Sequence, residues 1–199
     1  MSDVKSLYNQ LTHEAQRSLL TTGVVALNLG APEVEDDDNC VALAEMRNGA
    51  YTIAAQPDVP RNIVAEVDED TAPDTKGKVL ITGYDILGNK ITEEITPGAD
   101  SVAVVGTKAF ATVASIVGSG WAASGADDED SIKFGYGERI GLPVALSTID
   151  NVLLCTLDRA VDAATARVGD PPTVAETTVE VAGDYNGARV MQVLIRPEG

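Results

Sequence analysis

The 70 residues from Lys76 to Ala145 constrain the fold more than any other part of this 199-residue chain. Short runs rich in Val, Ile and Thr alternate there with turns built from Gly, Asn and Asp. Turn residues at such short intervals leave no room for long helices and are typical of antiparallel strands. The block therefore predicts a β-rich body, and the 18 Gly and nine Pro of the whole chain fit the same prediction.

One hairpin stands out within this block. Strands are predicted over Lys78–Tyr84 and Lys90–Thr96, and the five residues 85–89 between them supply the turn. Apolar and polar residues alternate on both sides, as they do when one face of a sheet is buried. A second hairpin is predicted upstream, with Cys40–Met46 and Ala50–Ala55 as its strands, because the Asn-Gly step between them suits a tight turn.

Strand patterns of the same kind continue to the end of the chain, without an internal repeat. Residues 23–199 are therefore predicted to form a mainly β body, a β-sandwich or β-barrel-like arrangement of antiparallel strands. A boundary inside this body near residues 73–76 is left open, because a polar loop with a proline lies there.

The first 22 residues carry the one helical period of the chain. Val4, Leu7, Tyr8 and Leu11 recur at spacings of three and four, which places them on one face of a short helix. So short a helix needs a packing partner to remain helical. Residues 1–22 are therefore predicted to be an N-terminal arm that docks on its own domain or on a neighbouring subunit, and these four residues are candidates for partner binding.

The charge of the chain limits its partners. The formal net charge is −17, from 31 acidic and 14 basic residues. This field repels phosphates, so neither nucleic acid nor an anionic membrane surface is a predicted partner. Apolar runs stay well short of the about 18 residues that span a bilayer, and the polar start of the chain is unlike a signal peptide.

Cysteine and histidine are too few and too dispersed for a reactive centre. Cys40 and Cys155 lie 115 positions apart, and two buried or half-buried thiols are predicted rather than a disulfide. His13 is the single histidine, whereas zinc needs clustered His and Cys ligands and a catalytic base needs groups that hold it. No catalytic, cofactor-binding or metal-binding residue is predicted.

The glycine spacing of residues 135–141 (GYGERIG) is superficially similar to that of a dinucleotide-binding loop. The third glycine comes one residue late for that motif. In addition, Leu142-Pro143 cannot begin the helix whose N-terminus would hold a pyrophosphate. We therefore predict turns between short strands at this position.

Two acidic clusters, residues 35–38 and 127–130, supply the hard oxygen ligands that calcium accepts. Neither has the spaced pattern of a helix-loop-helix calcium site, and consecutive acids are expected to point in different directions. Solvated loops are predicted for both, with a bound cation as the less favoured alternative.

Trp121 is the only tryptophan, and Gly and Ser flank it in GSGWAASG. Tryptophan is favoured at interface hot spots, so Trp121 is a candidate for partner binding. An anchor that folds its loop onto the protein's own surface is the alternative.

Four segments together carry a family resemblance: PDVPRNI (57–63), GYDILGNKITEEI (83–95), GTKAFATVASI (106–116) and DSIKFGYGERIGLP (130–143). Their order resembles small virion proteins of tailed bacteriophages, those described as capsid decoration, cement or head-fibre-base proteins. The resemblance covers residues 50–199 approximately. Its motifs are structural, so it transfers no catalytic residues.

The resemblance implies a non-enzymatic protein that is made in the cytoplasm of the bacterial host and ends on the capsid surface of the virion. There it would bind the major capsid protein and stabilise the head, with self-association as a homotrimer favoured. An acidic surface would then face solvent or meet basic patches on the shell.

Two alternatives remain. A tail or baseplate component would share the β-rich composition and would assemble into rings. An enzyme that acts on cell-wall polysaccharide would need two close carboxylates and an aromatic lining, and the chain offers only one Trp, five Tyr and two Phe.

Overall fold

The computed structural model describes residues 23–69, 74–123 and 130–196. Within these ranges the chain is mainly β, and its strands pair almost entirely in antiparallel fashion, as the sequence predicts. One short 3₁₀ turn lies at Ile149–Asn151. The strands are β1 (Val25–Gly30), β2 (Asp36–Glu45), β3 (Gly49–Ala50), β4 (Arg61–Asp68), β5 (Lys78–Tyr84), β6 (Lys90–Ile95), β7 (Val104–Phe110), β8 (Thr112–Ser119), β9 (Ser131–Gly141), β10 (Val152–Leu157), β11 (Ala160–Asp162), β12 (Ala164–Arg167), β13 (Thr178–Val181) and β14 (Met191–Ile195).

These strands form three sheets. Sheet 1 has the order β1-β14-β10-β11. Sheet 2 has the order β12-β13-β9-β4-β7, with β2 as a further partner of β9. Sheet 3 has the order β3-β8-β5-β6. From β2 to β9 the chain passes repeatedly between sheets 2 and 3, so neighbouring strands in sequence often belong to different sheets.

The long strand β9 is the centre of sheet 2. One of its edges pairs with β4, from Asp68 opposite Ser131 to Arg61 opposite Ile140. Its other edge pairs first with β2 and then, at Ile140 and Gly141, with β13. Strand β9 therefore connects strands from early, middle and late parts of the chain.

Glycines allow these strands to approach β9 closely. A Cβ at Gly135 would lie 1.8 Å from the carbonyl oxygen of Asp36 on β2, and one at Gly141 would lie 2.6 Å from the Cβ of Ala109. Any other residue would push the neighbouring backbone away. The turns predicted for residues 135–141 are therefore wrong: the segment lies inside β9, and its glycines serve close packing.

The first hydrophobic core lies between sheets 2 and 3. Alternate residues of the facing strands point inward, as expected for half-buried strands. Tyr51 and Phe134 meet edge to face there, with ring centroids 5.4 Å apart. The buried residues of this core are Cys40, Val41, Met46, Tyr51, Ile63, Ala65, Val67, Val79, Ile81, Ile95, Phe110, Val113, Ile116, Ile132, Phe134 and Tyr136.

A second hydrophobic core lies between sheet 1 and the end of sheet 2 where β13 pairs with β9. Most of its residues come from late in the chain. Strand β9 contributes to both cores, with Tyr136 in the first and Ile140 in the second. The buried residues of the second core are Ile140, Leu142, Leu146, Cys155, Leu157, Val179, Val181, Tyr185, Met191, Val193 and Ile195.

Arg61 ties together the segments that meet near this second core. Its side chain is only 1% exposed, and its Nε lies 3.0 Å from the Asp58 carboxylate. The guanidinium donates to the carbonyl oxygen of Glu33 and lies 5.6 Å from the ring centroid of Tyr185. Asp58 also accepts from the amide of Glu33, at 2.7 Å. A buried, paired charge thus fixes the loop that leads into β2.

The hairpin predicted over residues 78–96 is confirmed as β5 and β6, whose register runs from Val79 opposite Ile95 to Tyr84 opposite Lys90. Its turn is held by Asp85, whose carboxylate accepts from the amides of Leu87 and Asn89, both at 2.9 Å.

The second predicted hairpin is wrong. Strand β2 pairs with β9, whereas β3 pairs with β8 in another sheet. The chain bends at Asn48, but the strands on either side of the bend pair with distant parts of the chain rather than with each other.

Both cysteines are free and buried, as the sequence predicts.

The mainly β, antiparallel class is confirmed, whereas the arm at residues 1–22 lies outside the described residues. Within the described ranges, no helix has the length and apolarity to cross a membrane.

Replacing Arg61 should destabilise the fold. We expect Arg61→Ala to lower the free energy of unfolding by about 2–4 kcal/mol, because it removes a buried ion pair and the packing against Tyr185. Urea denaturation followed by circular dichroism measures the change. The exposed Arg196 is the matched control, and Arg196→Ala should change stability by less than about 0.5 kcal/mol. Equal effects of the two substitutions would contradict the role of Arg61.

Candidate interaction site: an acidic groove on sheet 2

The first acidic cluster lies on an irregular part of β2. Asp36 is opposite Tyr136 and Val41 is opposite Phe134, so five positions on β2 span only two on β9. The surplus residues form a wide bulge that carries Asp36, Asp37 and Asp38 on its exposed side. A loop was predicted here, and the structure instead places these three aspartates on a bulged strand.

A shallow groove runs past this bulge over the surface of sheet 2. Its larger part has a volume of about 340 Å³ and its smaller part about 160 Å³, and both parts are lined by Glu35 and Val64. We call it the acidic groove. Its charged lining residues are Glu35, Asp36, Asp37, Glu66, Glu138, Arg139, Arg167 and Glu180.

Strand pairing sets the positions of several of these charges. Glu66 on β4 is directly opposite Lys133 on β9. The Lys133 ammonium lies 2.6 Å from Asp37 and 3.1 Å from Glu66, so it bridges β2 and β4 across β9. These carboxylates raise the pKa of Lys133, mainly through the hydrogen bond with Asp37. The lysine therefore stays charged and neutralises part of the groove.

A bulge in β9 shapes the second part of the groove. Arg61 and Ile63 are opposite Ile140 and Tyr136, which leaves Gly137, Glu138 and Arg139 outside regular pairing. The fully buried Asn62 holds this bulge, and its Oδ1 accepts from the Arg139 amide at 3.0 Å.

Glu180 lies between the two arginines of the groove. It is 3.6 Å from the Arg139 Nε and 3.4 Å from Arg167. Arg139 also donates to the carbonyl oxygen of Gly106, at 3.0 Å. Both arginines therefore already have partners within the protein. The neighbouring carboxylates then make the net charge of the groove surface negative.

Burial and neighbouring negative charge raise the pKa of one carboxyl group in the groove, Glu138, and of one beside it, Asp38. The pKa of Asp38 is raised, first because it hydrogen-bonds to Asp36 and also because Asp36 and Asp37 repel its charged form. The pKa of Glu138 is raised mainly by burial and further by the nearby carboxylates, Glu35 foremost. Carboxylates that resist ionisation this way gain most from an incoming positive charge.

The groove has few features of a catalytic or metal centre. Asp36, Asp37 and Asp38 are the one group of potential metal ligands in the described part of the chain, with oxygen atoms within 4.8 Å of one another. The expectation that consecutive acids diverge is therefore wrong here, because the bulge brings them together. All three are exposed, and the ammonium of Lys133 already contacts Asp37. Tyr136 donates its hydroxyl to the carbonyl oxygen of Ala55 at 2.8 Å. Burial, followed by the interaction with Cys40, raises the pKa of Tyr136.

The second acidic cluster is only partly described, since 127–129 lie outside the described residues. Asp130 is fully buried, so the solvated loop predicted for this cluster is wrong at that position. Its carboxylate accepts from the amide of Asp74 at 2.9 Å, and the Asp74 carboxylate accepts from the amide of Asp130 at 3.0 Å. The pair joins the start of the second described range to the start of the third, and both carboxylates are buried rather than part of a charged surface.

Trp121 is half-buried against the first core, away from the residues that line the acidic groove. Its backbone amide donates to Asn48 at 3.0 Å, and the Asn48 side chain donates back to the Trp121 carbonyl oxygen at 2.9 Å. This geometry favours the alternative in which Trp121 anchors its own loop. Its role in partner binding stays a prediction.

The other candidate partner residues, Val4, Leu7, Tyr8 and Leu11, lie outside the described residues together with His13. The groove residues Glu66, Glu138 and Glu180 were missed because they lie far apart in the sequence. Only the pairing of β4, β9 and β13 brings them together, and the alternation of charged and apolar residues along β4 is the one local signal.

Comparisons with protein-family models, with curated proteins and with solved structures gave no match.

The coupling between Asp36 and Asp38 is testable by titration. Asp36→Asn keeps an oxygen that can accept from the Asp38 amide, but it removes the charge that opposes ionisation of Asp38. We expect the pKa of Asp38 to fall towards its usual value, as measured from carboxyl-carbon chemical shifts by NMR. Asp150→Asn, on an exposed turn in another part of the fold, should leave the pKa of Asp38 unchanged. The same pKa in the Asp36→Asn variant and in the parent would contradict the coupling.

Proposed function

We propose that this chain is a non-enzymatic structural protein of a tailed-bacteriophage virion, a decoration or cement protein that binds the outer surface of the capsid shell and stabilises it. The virion assignment is supported by the four sequence segments that resemble this class of protein. The acidic groove supplies the contact surface, and the partner is the major capsid protein.

We choose the acidic groove as the contact surface because carboxylates are in excess there. Six acidic residues and two arginines line it, and the arginines and Lys133 are already engaged by carboxylates or carbonyl oxygens of the protein. Glu35 and Asp36 are exposed. A partner with lysines or arginines would relieve this repulsion, and complementary charge also accelerates association.

The framework beneath the groove suits a role in holding other proteins. The groove rests on β2, β4 and β9, and alternate residues of these strands are buried in the first core. Bulges and charges on β2 also discourage pairing with a strand of another chain at this edge. The contact would therefore use side chains on a preformed surface rather than strand addition.

Self-association as a homotrimer is part of the proposal. Shell proteins are arranged around local threefold positions, and a trimer can contact three neighbouring subunits at once. Sedimentation equilibrium of the purified protein should give three times the 20.7 kDa chain mass. A monomer at all concentrations would remove this part of the proposal while leaving the shell contact in place.

Binding to undecorated heads tests the proposed contact. We expect the parent protein to co-sediment with purified heads that lack it, and to bind more weakly as salt is raised. Replacing Glu35→Gln and Asp36→Asn together should weaken binding by roughly three- to thirty-fold, the range expected for losing two exposed ion pairs.

The control variant also removes two negative charges, but at positions outside the groove. Asp150→Asn with Asp158→Asn changes two exposed acids outside the groove and should bind like the parent. Equal losses for the two variants would contradict a specific role of the groove. Failure of the parent to bind heads would contradict the proposed function, and co-sedimentation with tails instead would favour the tail or baseplate alternative.

A further inference from the structure

The turn between β5 and β6 carries large apolar side chains on its exposed side. Ile86 and Leu87 lie in the turn, and Leu87 is 59% exposed. Turns are normally built from Gly, Pro, Asn, Asp and Ser, so the backbone of this turn does not account for either residue. Tyr84 at the end of β5 is also exposed and extends the apolar surface. We call Tyr84, Ile86 and Leu87 the hairpin tip.

The hairpin tip has a fixed conformation. The buried carboxylate of Asp85 accepts from the amides of Leu87 and Asn89, both at 2.9 Å, and from the Asn89 side chain at 3.0 Å. Gly88 supplies the left-handed residue of the turn, with φ of +81°, and its amide donates to the Asp85 carbonyl oxygen at 3.0 Å. A preformed loop loses little conformational entropy on binding, so the tip suits insertion into a pocket.

An apolar cleft lies between β10 of sheet 1 and β12 of sheet 2. Along one edge of β10, β11 pairs only with Cys155–Leu157, so Val152–Leu154 have no strand partner there within the described ranges. Strand β12 is the edge strand of sheet 2. The space between these two edges has one part of about 350 Å³ and another of about 160 Å³. Val152, Leu153 and Ala164 line both parts, and we call the whole space the apolar cleft.

A bulge in β10 exposes Leu153 in this cleft. The pairing with β14 passes from Val152 directly to Leu154, which leaves Leu153 outside the regular ladder. Leu153 is 41% exposed, and Ile149 at the same wall is also exposed. Small alanines on β12 form the opposite wall, so the cleft is concave and has room for large side chains from another molecule.

The two surfaces carry charges of opposite sign. Lys90 is exposed directly opposite Tyr84 at the base of the tip. The charged residues among the described lining of the cleft are Asp150 and Asp162, and both are acidic. Exposed ion pairs add little affinity, but complementary charge favours one orientation of approach. The apolar side chains would therefore supply the affinity of a contact between tip and cleft.

We propose that the hairpin tip of one copy of this chain inserts into the apolar cleft of the next copy. Tip and cleft belong to different parts of the fold, so this contact joins two unlike surfaces. Repeated around a threefold axis, it closes a ring in which every tip and every cleft is occupied. The inference rests on the self-association that is part of the proposed function, and it does not require binding to the shell.

A charge placed in either surface should break the ring. Leu87→Glu changes the tip and Leu153→Glu changes the cleft, and both replace exposed residues, so the body should still fold. We expect each to raise the concentration at which the trimer dissociates by at least about thirtyfold, as for an interface anchor, measured by sedimentation equilibrium. Leu43→Glu, at an exposed position of β2 outside both surfaces, is the matched control and should leave dissociation unchanged.

Mixing the two variants tests the head-to-tail arrangement. The Leu87→Glu copy keeps its cleft and the Leu153→Glu copy keeps its tip, so one intact contact can form between them. An equimolar mixture should therefore contain a dimer of twice the 20.7 kDa chain mass, at concentrations where each variant alone is monomeric.

A short thiol-reactive cross-linker detects the same contact even when it is weak. Leu87→Cys mixed with Leu153→Cys should give at least about tenfold more cross-linked dimer than Leu43→Cys mixed with Leu153→Cys, because the tip holds the two thiols near each other. Cys40 and Cys155 are buried and present in every variant, so the parent gives the background.

The outcomes separate this inference from the proposed function. A parent trimer that neither glutamate substitution weakens would overturn the inference and leave self-association in place. Cross-linking that is no greater from position 87 than from position 43 would overturn it as well. A parent that stays monomeric would remove both the inference and the proposed homotrimer, whereas a ring that forms through tip and cleft but does not bind heads would contradict the shell contact alone.

Discussion

Pairing along β9 is the constraint on which the rest of the described structure depends. This strand joins β4 on one edge to β2 and β13 on the other, and it contributes Phe134 to the first core and Ile140 to the second. The approach of β2 requires the absence of a side chain at Gly135, where a Cβ would overlap the backbone of Asp36. The bulges that shape the acidic groove arise from the same pairings, so fold and site share one cause.

Much of the fold follows from local pattern. The hairpin of β5 and β6 could be predicted because alternation and the Asp85 turn agree over adjacent residues. The second predicted hairpin failed because β2 pairs with β9 and β3 pairs with β8, and no local signal reports these distant partners. The glycines of β9 were misinterpreted for a related reason: Gly135 is required by a strand that lies 99 positions earlier, at Asp36.

The site could be predicted only in part. Consecutive acids at 35–38 are visible in the sequence, but their convergence depends on the bulge in β2. Glu66 and Lys133 become neighbours only through the register of β4 and β9.

The most direct test of the account is the position of this protein in an intact particle. Cryo-electron microscopy at a resolution that traces the chain should place it on the outer surface of the head shell. Lysines or arginines of the major capsid protein should then lie opposite Glu35 and Asp36. A location in the tail, or on the head with the acidic groove turned towards solvent, would contradict the account.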